Sequence, residues 1–163
     1  MSTPLLVEVL NKMLQIHQSL YDITYTKTEV IKNGDIEDLQ NIIRDEQKHV
    51  AALQLLEKQR LEAIGFIQKE LAIKIDNPTV SELLYYISGI EKEEIKRLQE
   101  NLVAKINGIV ERNDLNQQLL VQSLEFVNLN LDLLMPSPEF TNYTMPSKEE
   151  NTPVSRSFFD SQA

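Results

Sequence analysis

The sequence contains no cysteine, no tryptophan and only two histidines among its 163 residues. Without cysteine the chain offers no disulfide, no thiolate nucleophile and no thiolate metal ligand. With so few histidines there is no credible Ser-His-Asp set, and a glycine-rich phosphate loop is missing as well. These absences argue against an enzyme, and we expect no cofactor.

Glycine, aromatic residues and long apolar runs are also scarce. Four glycines, 6% aromatic residues and a 42% apolar fraction favour an aliphatic core built from helices. No stretch approaches the roughly 18 apolar residues of a membrane span, so we expect no direct membrane insertion. The first ten residues lack a basic leader and carry Glu8 inside their apolar run, which is unlike a secretory signal. We therefore expect a cytoplasmic, soluble protein.

Basic residues are outnumbered by acidic ones, 16 against 25, and the formal net charge is −9. A chain of this charge repels phosphate backbones and anionic membrane surfaces. Nucleic acid is therefore not an expected partner.

Turn signals predict that the chain begins as an antiparallel helical hairpin. Pro4 suits the first turn of a helix, and Asn33-Gly34 suits its end. Asp35 then caps a second helix that runs to about Ile73. In both helices apolar or small positions recur at three-four spacing and form a seam that we expect to be core. The seam residues are Leu6, Leu10, Met13, His17, Leu20, Thr24 and Ile31, then Leu39, Ile43, Val50, Leu53, Leu56, Ile64 and Ile67.

A short helix and a long C-terminal helix follow the hairpin. Asp76-Asn77-Pro78 is a breaker, and Thr79 with Glu82 forms a capping box for a short helix. The last helix opens near Glu91 and continues to Leu134, with Gly108 as a candidate bend. Along it the three-four positions are Ile95, Leu98, Leu102, Ile106, Ile109, Asn116 and Leu120, and the spacing continues to Leu134. The predicted fold class is all-α: a long antiparallel hairpin, a short helix and a long C-terminal helix in a coiled-coil-like three- or four-helix bundle.

The chain changes composition after residue 135. Residues 136–163 hold four of the six prolines together with many Ser, Thr and Asn residues. Such a segment cannot bury enough apolar area to fold alone. We expect a helical domain over 1–135 and a disordered tail over 136–163, with Phe140, Tyr143, Met145, Phe158 and Phe159 as isolated apolar residues in it.

Residues 119–135 carry more apolar surface than one buried helix face needs. At about 100° per residue they form two stripes on nearly opposite sides. One stripe comprises Leu120, Leu124, Val127, Leu131 and Leu134, and the other Phe126, Leu129 and Leu133. The second stripe is either buried against the short helix over 79–88 or kept for a partner. The alternation of apolar and polar residues over 127–133 also fits a strand, but the three-four spacing continuing from Leu98 favours a helix.

Two histidines deserve comparison with metal and catalytic sites. Glu46 and His49 match one Glu-x-x-His element of di-iron bundles, but such a site needs a second element, and Leu14 stands three residues before His17. We therefore predict no metal site, and interpret His17 and Asn116 as polar positions that select the pairing of helices.

Several segments resemble one protein family. Asn33-Gly34-Asp35-Ile36-Glu37-Asp38-Leu39, Arg44-Asp45-Glu46-Gln47 and Leu55-Leu56-Glu57-Lys58-Gln59-Arg60 are similar to the FlgN-type flagellar export chaperones. Glu111-Arg112-Asn113, Leu119-Leu120 and Gln122-Ser123-Leu124-Glu125-Phe126-Val127 resemble the final helix of that family. The resemblance covers residues 5–135.

The resemblance implies a small, acidic, ATP-independent cytoplasmic chaperone of the flagellar type III secretion system. Its partners would be the C-terminal helices of the hook-associated (hook–filament junction) proteins, which it keeps from premature assembly, and the cytoplasmic domain of the membrane export gate. It places the gate-docking role on Tyr143. The substrate-binding residues would be Leu120, Leu124, Phe126, Val127, Leu129, Leu131, Leu133 and Leu134.

A rival interpretation is a structural coiled-coil adaptor or scaffold, in which the same stripe is the seam of a homo-oligomer. A weak homodimer is compatible with either interpretation.

Overall fold

The computed structural model describes residues 2–134, in which the chain forms four helices and no strand. They are α1 (Thr3–Asn33), α2 (Ile36–Glu70), α3 (Val80–Leu83) and α4 (Ile90–Leu134). The all-α prediction is confirmed. The contacts divide the chain after Val127, and of the second unit the structure describes only residues 128–134. The predicted tail lies outside the described residues, and the domain boundary at 135 stays a prediction.

The hairpin turn between α1 and α2 forms as predicted. Gly34 takes the left-handed conformation, with φ of 69°, and its N–H donates to the Ile31 carbonyl oxygen at 3.2 Å. The Asp35 carboxylate accepts a hydrogen bond from the Asp38 N–H at 3.0 Å and so caps α2. A left-handed stop followed at once by an N-cap reverses the chain within two residues.

Side chains that bridge α1 and α2 show their antiparallel register. Lys27 Nζ lies 2.9 Å from a Glu46 carboxylate oxygen, and both side chains are largely buried. Farther from the turn, the Ser19 hydroxyl lies 2.7 Å from His49 Nε2. His49 Nδ1 donates to the Asp45 carbonyl oxygen at 2.7 Å, which orients the ring. Glu46 and His49 of α2 thus both contact α1 and help to hold the two helices of the hairpin together.

The main core lies where α3 packs between the hairpin and the start of α4. The predicted capping box is present: the Thr79 N–H donates to Glu82 at 2.7 Å, and the Glu82 N–H donates to Thr79 Oγ1 at 3.2 Å. The hydrogen bonds from Thr79 lower the pKa of Glu82. The cap orients a short segment whose Leu83 and Ile87 are buried with Leu6, Leu10, Ala63, Ile64, Ile67, Ile95, Leu98 and Leu102.

A buried polar layer fixes α4 on α1. The Thr28 hydroxyl donates to Asn116 Oδ1 at 2.6 Å, and Asn116 Nδ2 donates to the Thr24 carbonyl oxygen at 2.9 Å. All three residues are almost completely buried. Sliding α4 along α1 would leave these groups buried without partners, which costs more than an ordinary hydrogen bond contributes. The layer therefore sets the register of α4.

An aromatic contact holds α4 on α1 one to two turns away from that layer. A Cβ built on Gly108 would lie 2.9 Å from Cε2 of Tyr21, so the ring occupies the space that a side chain would fill. Tyr21 and Tyr25 share a hydrogen bond of 2.9 Å between their hydroxyls, which raises the pKa of Tyr21. Lys105 Nζ lies 4.3 Å from the centre of the Tyr21 ring, and the Arg112 guanidinium lies 3.7 Å from that of Tyr25. Gly108, proposed above as a bend, thus has a packing role within a continuous helix.

Two predicted core residues of α2 are exposed instead. Ile43 and Val50 are 39% and 46% exposed, and Ile106, at the three-four spacing of α4, is 41% exposed. Along their length α4 is fixed to α1 through Tyr21, Thr24 and Thr28, and the prediction that Ile43 and Val50 are core was wrong. Within residues 2–134, no helix combines the length and apolarity needed to cross a membrane.

Glycine at 108 and glycine at 65 should respond differently to alanine. Gly65 lies inside α2 with nothing within 4 Å of a built Cβ, so Gly65→Ala should raise the free energy of unfolding by about 1 kcal/mol. Gly108→Ala gains the same helix propensity but must displace the Tyr21 ring, so we expect no gain or a net loss. Urea unfolding measures both variants, and equal stabilisation by the two would contradict the packing role of Gly108.

The polar layer predicts a large cost for removing Asn116. Asn116→Ala should lower the free energy of unfolding by about 2–3 kcal/mol, because it strands buried polar groups and leaves a cavity. Asn113→Ala is the matched control, since Asn113 is exposed on the same helix, and it should change stability by less than about 0.5 kcal/mol. Similar effects of both substitutions in thermal or urea unfolding would show that the polar layer does not set the register of α4 on α1.

Candidate protein-binding surface

The C-terminal part of α4 is helical through Leu134, so the strand alternative for residues 127–133 is wrong. Residues 109–134 contain no glycine or proline, and leucine and glutamine, both good helix formers, recur there. The Ser123 hydroxyl donates a hydrogen bond to the Leu119 carbonyl oxygen of the same helix, at 2.8 Å. The helix therefore presents its apolar side chains in the three-four geometry that the sequence predicted.

In the unit that ends at Val127, neither apolar stripe of α4 is fully buried in the core. Phe126 is 66% exposed, and Leu124 and Val127 are each more than half exposed. Leu120 is half-buried. The expectation that one stripe packs inside holds only at Leu120. The segment over 79–88, which was the alternative partner for the second stripe, buries its Leu83 and Ile87 in the main core instead.

In the second unit, the described residues are helical and their leucines are exposed. Leu133 is 76% exposed, and Leu129, Leu131 and Leu134 are exposed as well. Exposure meets the requirement for a partner-binding surface, while the binding itself stays a prediction for all eight residues.

A small apolar cavity lies where α4 passes the hairpin turn. It has a volume of about 250 Å³. Leu120, Leu124 and Val127 of α4 form one wall, and the residues opposite belong to the ends of α1 and α2, namely Val30, Ile31, Gly34, Asp35, Ile36 and Leu39. Ile31 is buried, whereas Ile36 is exposed. Apolar walls and a partly open mouth suit the insertion of apolar side chains from a partner.

A second cavity, of about 460 Å³, lies toward the other end of α2. Leu10 and Met13 of α1, Leu61 and Ile64 of α2, and Leu102 and Val103 of α4 contribute its apolar lining, and Arg60 also borders it. The Arg60 guanidinium donates to both carboxylate oxygens of Glu57, at 2.7 and 2.6 Å. This hydrogen bonding lowers the pKa of Glu57 and raises that of Arg60, so the pair stays ionised at neutral pH.

The polar residues that were compared with metal or catalytic sites have structural partners. Glu46 pairs with Lys27 and His49 with Ser19, as described above. His17 Nδ1 donates to the Met13 carbonyl oxygen within the same helix, at 2.7 Å. Over residues 2–134, no three His, Cys, Asp or Glu side chains are grouped to hold a metal ion. What the described residues do offer is apolar surface.

Sequence reasoning missed part of this surface. Val30 and Ile36, which flank the turn, were not singled out, and Leu39 was assigned only to the core. A turn as short as Gly34-Asp35 brings the last turn of α1 and the first turn of α2 together, and that signal could have grouped them. Their approach to Leu120 and Leu124 is a tertiary fact that spacing alone does not reveal. Tyr143, Phe158 and Phe159 lie outside the described residues.

An exposed apolar helix surface on an acidic bundle defines a helical protein-binding protein. The FlgN protein family model matches residues 1–151. The chain therefore belongs to the FlgN family, the flagellar export chaperones, which bind flagellar proteins. It is also similar to a protein of Bacillus subtilis (strain 168) described as the uncharacterized protein YvyG, with 30% identity over 168 aligned residues that cover all of both chains. No solved structure matches this chain significantly.

Proposed function

We propose that this protein is a cytoplasmic chaperone of the flagellar type III secretion system that binds the C-terminal helices of the hook–filament junction proteins. The observation that carries the proposal is the exposure of Leu124, Phe126 and Val127 at one end of a helix, in a chain whose net charge is −9. An apolar face of a client helix that would otherwise drive premature assembly can be covered there by anchors at three-four spacing.

The physical character of the surface also supports reversible binding. Its contacts are apolar and its anchors are open to solvent, so a client can leave without nucleotide hydrolysis once another site competes for it. Such exchange suits a carrier that holds its client only until export. The net charge of −9 keeps chaperone molecules apart while the apolar surface is free.

Delivery needs a second contact, which we assign to Tyr143 with the cytoplasmic domain of the export gate as its partner. This assignment comes from the family resemblance. A gate contact outside α4 would allow the chaperone to dock while the client still occupies the helix.

The second candidate function is a structural adaptor in which the exposed end of α4 is a homo-oligomer seam. The same exposure of Phe126 and Leu124 favours it. It differs in predicting that the free protein is a stable oligomer.

Replacing two anchors by aspartate should abolish client binding while the bundle stays folded. Phe126→Asp combined with Leu129→Asp should weaken binding of a purified junction-protein C-terminal segment by about 100-fold, since each buried anchor contributes a factor of about ten or more. Isothermal titration calorimetry measures the affinity, and urea unfolding should change by less than about 1 kcal/mol because both side chains are exposed.

Leu115→Asp is the matched control for that double variant. Leu115 is an exposed leucine of α4 that lies 11 residues before Phe126 along the helix, and its replacement should leave the affinity within about threefold. Light scattering completes the test. A stable wild-type dimer that the double variant dissociates, together with no binding of any junction-protein segment, would favour the adaptor and contradict the chaperone.

Tyr143→Ala should separate delivery from client binding. We expect unchanged affinity for the client segment but loss of the chaperone from pull-downs with the gate's cytoplasmic domain, and reduced secretion of junction proteins. Tyr85→Ala is the control, because Tyr85 is an 85% exposed tyrosine that follows α3. Equal gate binding by Tyr143→Ala and wild type would remove Tyr143 from this role.

A further inference from the structure

The two cavities lie at the two ends of one line between α2 and α4. The cavity at the turn has Leu39 on its α2 side and Leu120 and Leu124 on its α4 side. The larger cavity has Leu61 and Val103 on the corresponding sides. The residue order shows that α4 runs antiparallel to α2 along this line, and both cavities have α1 residues in their lining.

Exposed apolar side chains continue the line between the cavities. At about 100° per residue, Ile43 and Val50 fall within about 40° of Leu39 and Leu61 on α2. Ile106 and Val110 fall within about 60° of Val103 on α4. All four intervening residues are exposed. These four exposed residues of α2 and α4 are therefore the middle of one surface, which we call the α2–α4 groove.

The length of this groove matches a particular kind of occupant. Leu39 to Leu61 spans about 33 Å at 1.5 Å per residue, and Val103 to Leu124 spans about 32 Å. With α1 beneath, α2 and α4 as walls, and residues 77–80 bordering the larger cavity at one end, the open position is that of a fourth helix in an antiparallel bundle. A helix of about 21 residues fills it.

The charge along the groove indicates what that helix carries. On the solvent side of the α4 wall stand four exposed acidic residues, Glu100, Glu111, Asp114 and Glu125. The basic residues of α4 between 98 and 127 are Lys105 and Arg112, and both are stacked on tyrosine rings of α1. The α2 edge is less charged, with exposed Gln40, Gln47 and Gln54 among Arg44, Lys58 and Glu62.

From these observations we infer that the α2–α4 groove seats a partner's amphipathic helix of about 21 residues with Lys or Arg along the flank that faces α4. The inference rests on the proposed function, and it extends the client site from Leu120 and Leu124 to the middle of the bundle. A second copy of this chain fits less well, because it would bring the same acidic α4 edge and a net charge of −9 to the groove.

Substitutions in the middle of the groove test the inference, because they lie far from Phe126. The probe is the purified C-terminal segment, about 40 residues, of a hook–filament junction protein from the same organism. The double variant Ile43→Asp/Val50→Asp should weaken binding at least tenfold. The double variant Ile106→Asp/Val110→Asp should do the same.

The control variants are Leu55→Asp and Leu115→Asp, which replace exposed leucines on the outer faces of the same two helices. Their affinity for the probe should stay within about threefold of wild type. Wild-type affinity should also fall as salt rises, because the acidic edge is exposed.

A photo-cross-linking residue guards against loss of folding in the aspartate variants. Placed at Val110 it should cross-link to the probe, and placed at Leu115 it should not. Wild-type affinity in both groove variants, with no cross-link from Val110, would overturn the groove while leaving the chaperone proposal intact. Failure of the wild type to bind any junction-protein segment would overturn both. A wild-type dimer that groove variants convert to monomers, with probe binding unchanged, would assign the groove to a second copy and overturn the inference.

Discussion

The fixed register of α4 on α1 is the constraint on which the rest of this structure depends. The hydrogen bonds of Asn116 with Thr28 and Thr24 allow one alignment of the two helices without buried unpaired groups. Tyr21 seated against Gly108 adds a steric requirement at a second point. Because α4 is held to α1 along this length, its apolar side chains toward α2 are left uncovered, and the α2–α4 groove follows.

Leaving apolar side chains uncovered is tolerable here because the chain carries a net charge of −9. Exposed apolar patches on a monomer mark interaction sites or favour aggregation, and like charge opposes self-association. The same acidic residues would favour a client helix with a basic flank and disfavour a second copy. In the proposed complex the apolar surface would provide the binding free energy, and the acidic residues would select the partner.

Local signals predicted the elements, whereas tertiary packing decided the surface. Gly34, Asp35 and the Thr79–Glu82 capping box define helix ends through their own backbone geometry, so they could be identified from the sequence. Ile43, Val50 and Ile106 have the spacing of core residues, and spacing cannot show that no helix covers them.

The packing role of Gly108 could not be predicted from the sequence either, because it depends on contact with Tyr21, which is far away in the sequence. The exposure of Phe126 followed from an excess of apolar residues that one face could not bury.

Methyl NMR of the protein during titration with the C-terminal segment of a junction protein distinguishes a client in the α2–α4 groove from one on α4 alone. A client in the groove should shift the methyl signals of Ile43, Val50, Ile106 and Val110 in parallel with that of Leu124, while those of Leu55 and Leu115 stay unchanged. Shifts confined to α4 beyond Leu120, with the α2 methyls unchanged, would show that the open fourth-helix position between α2 and α4 is not where the client lies.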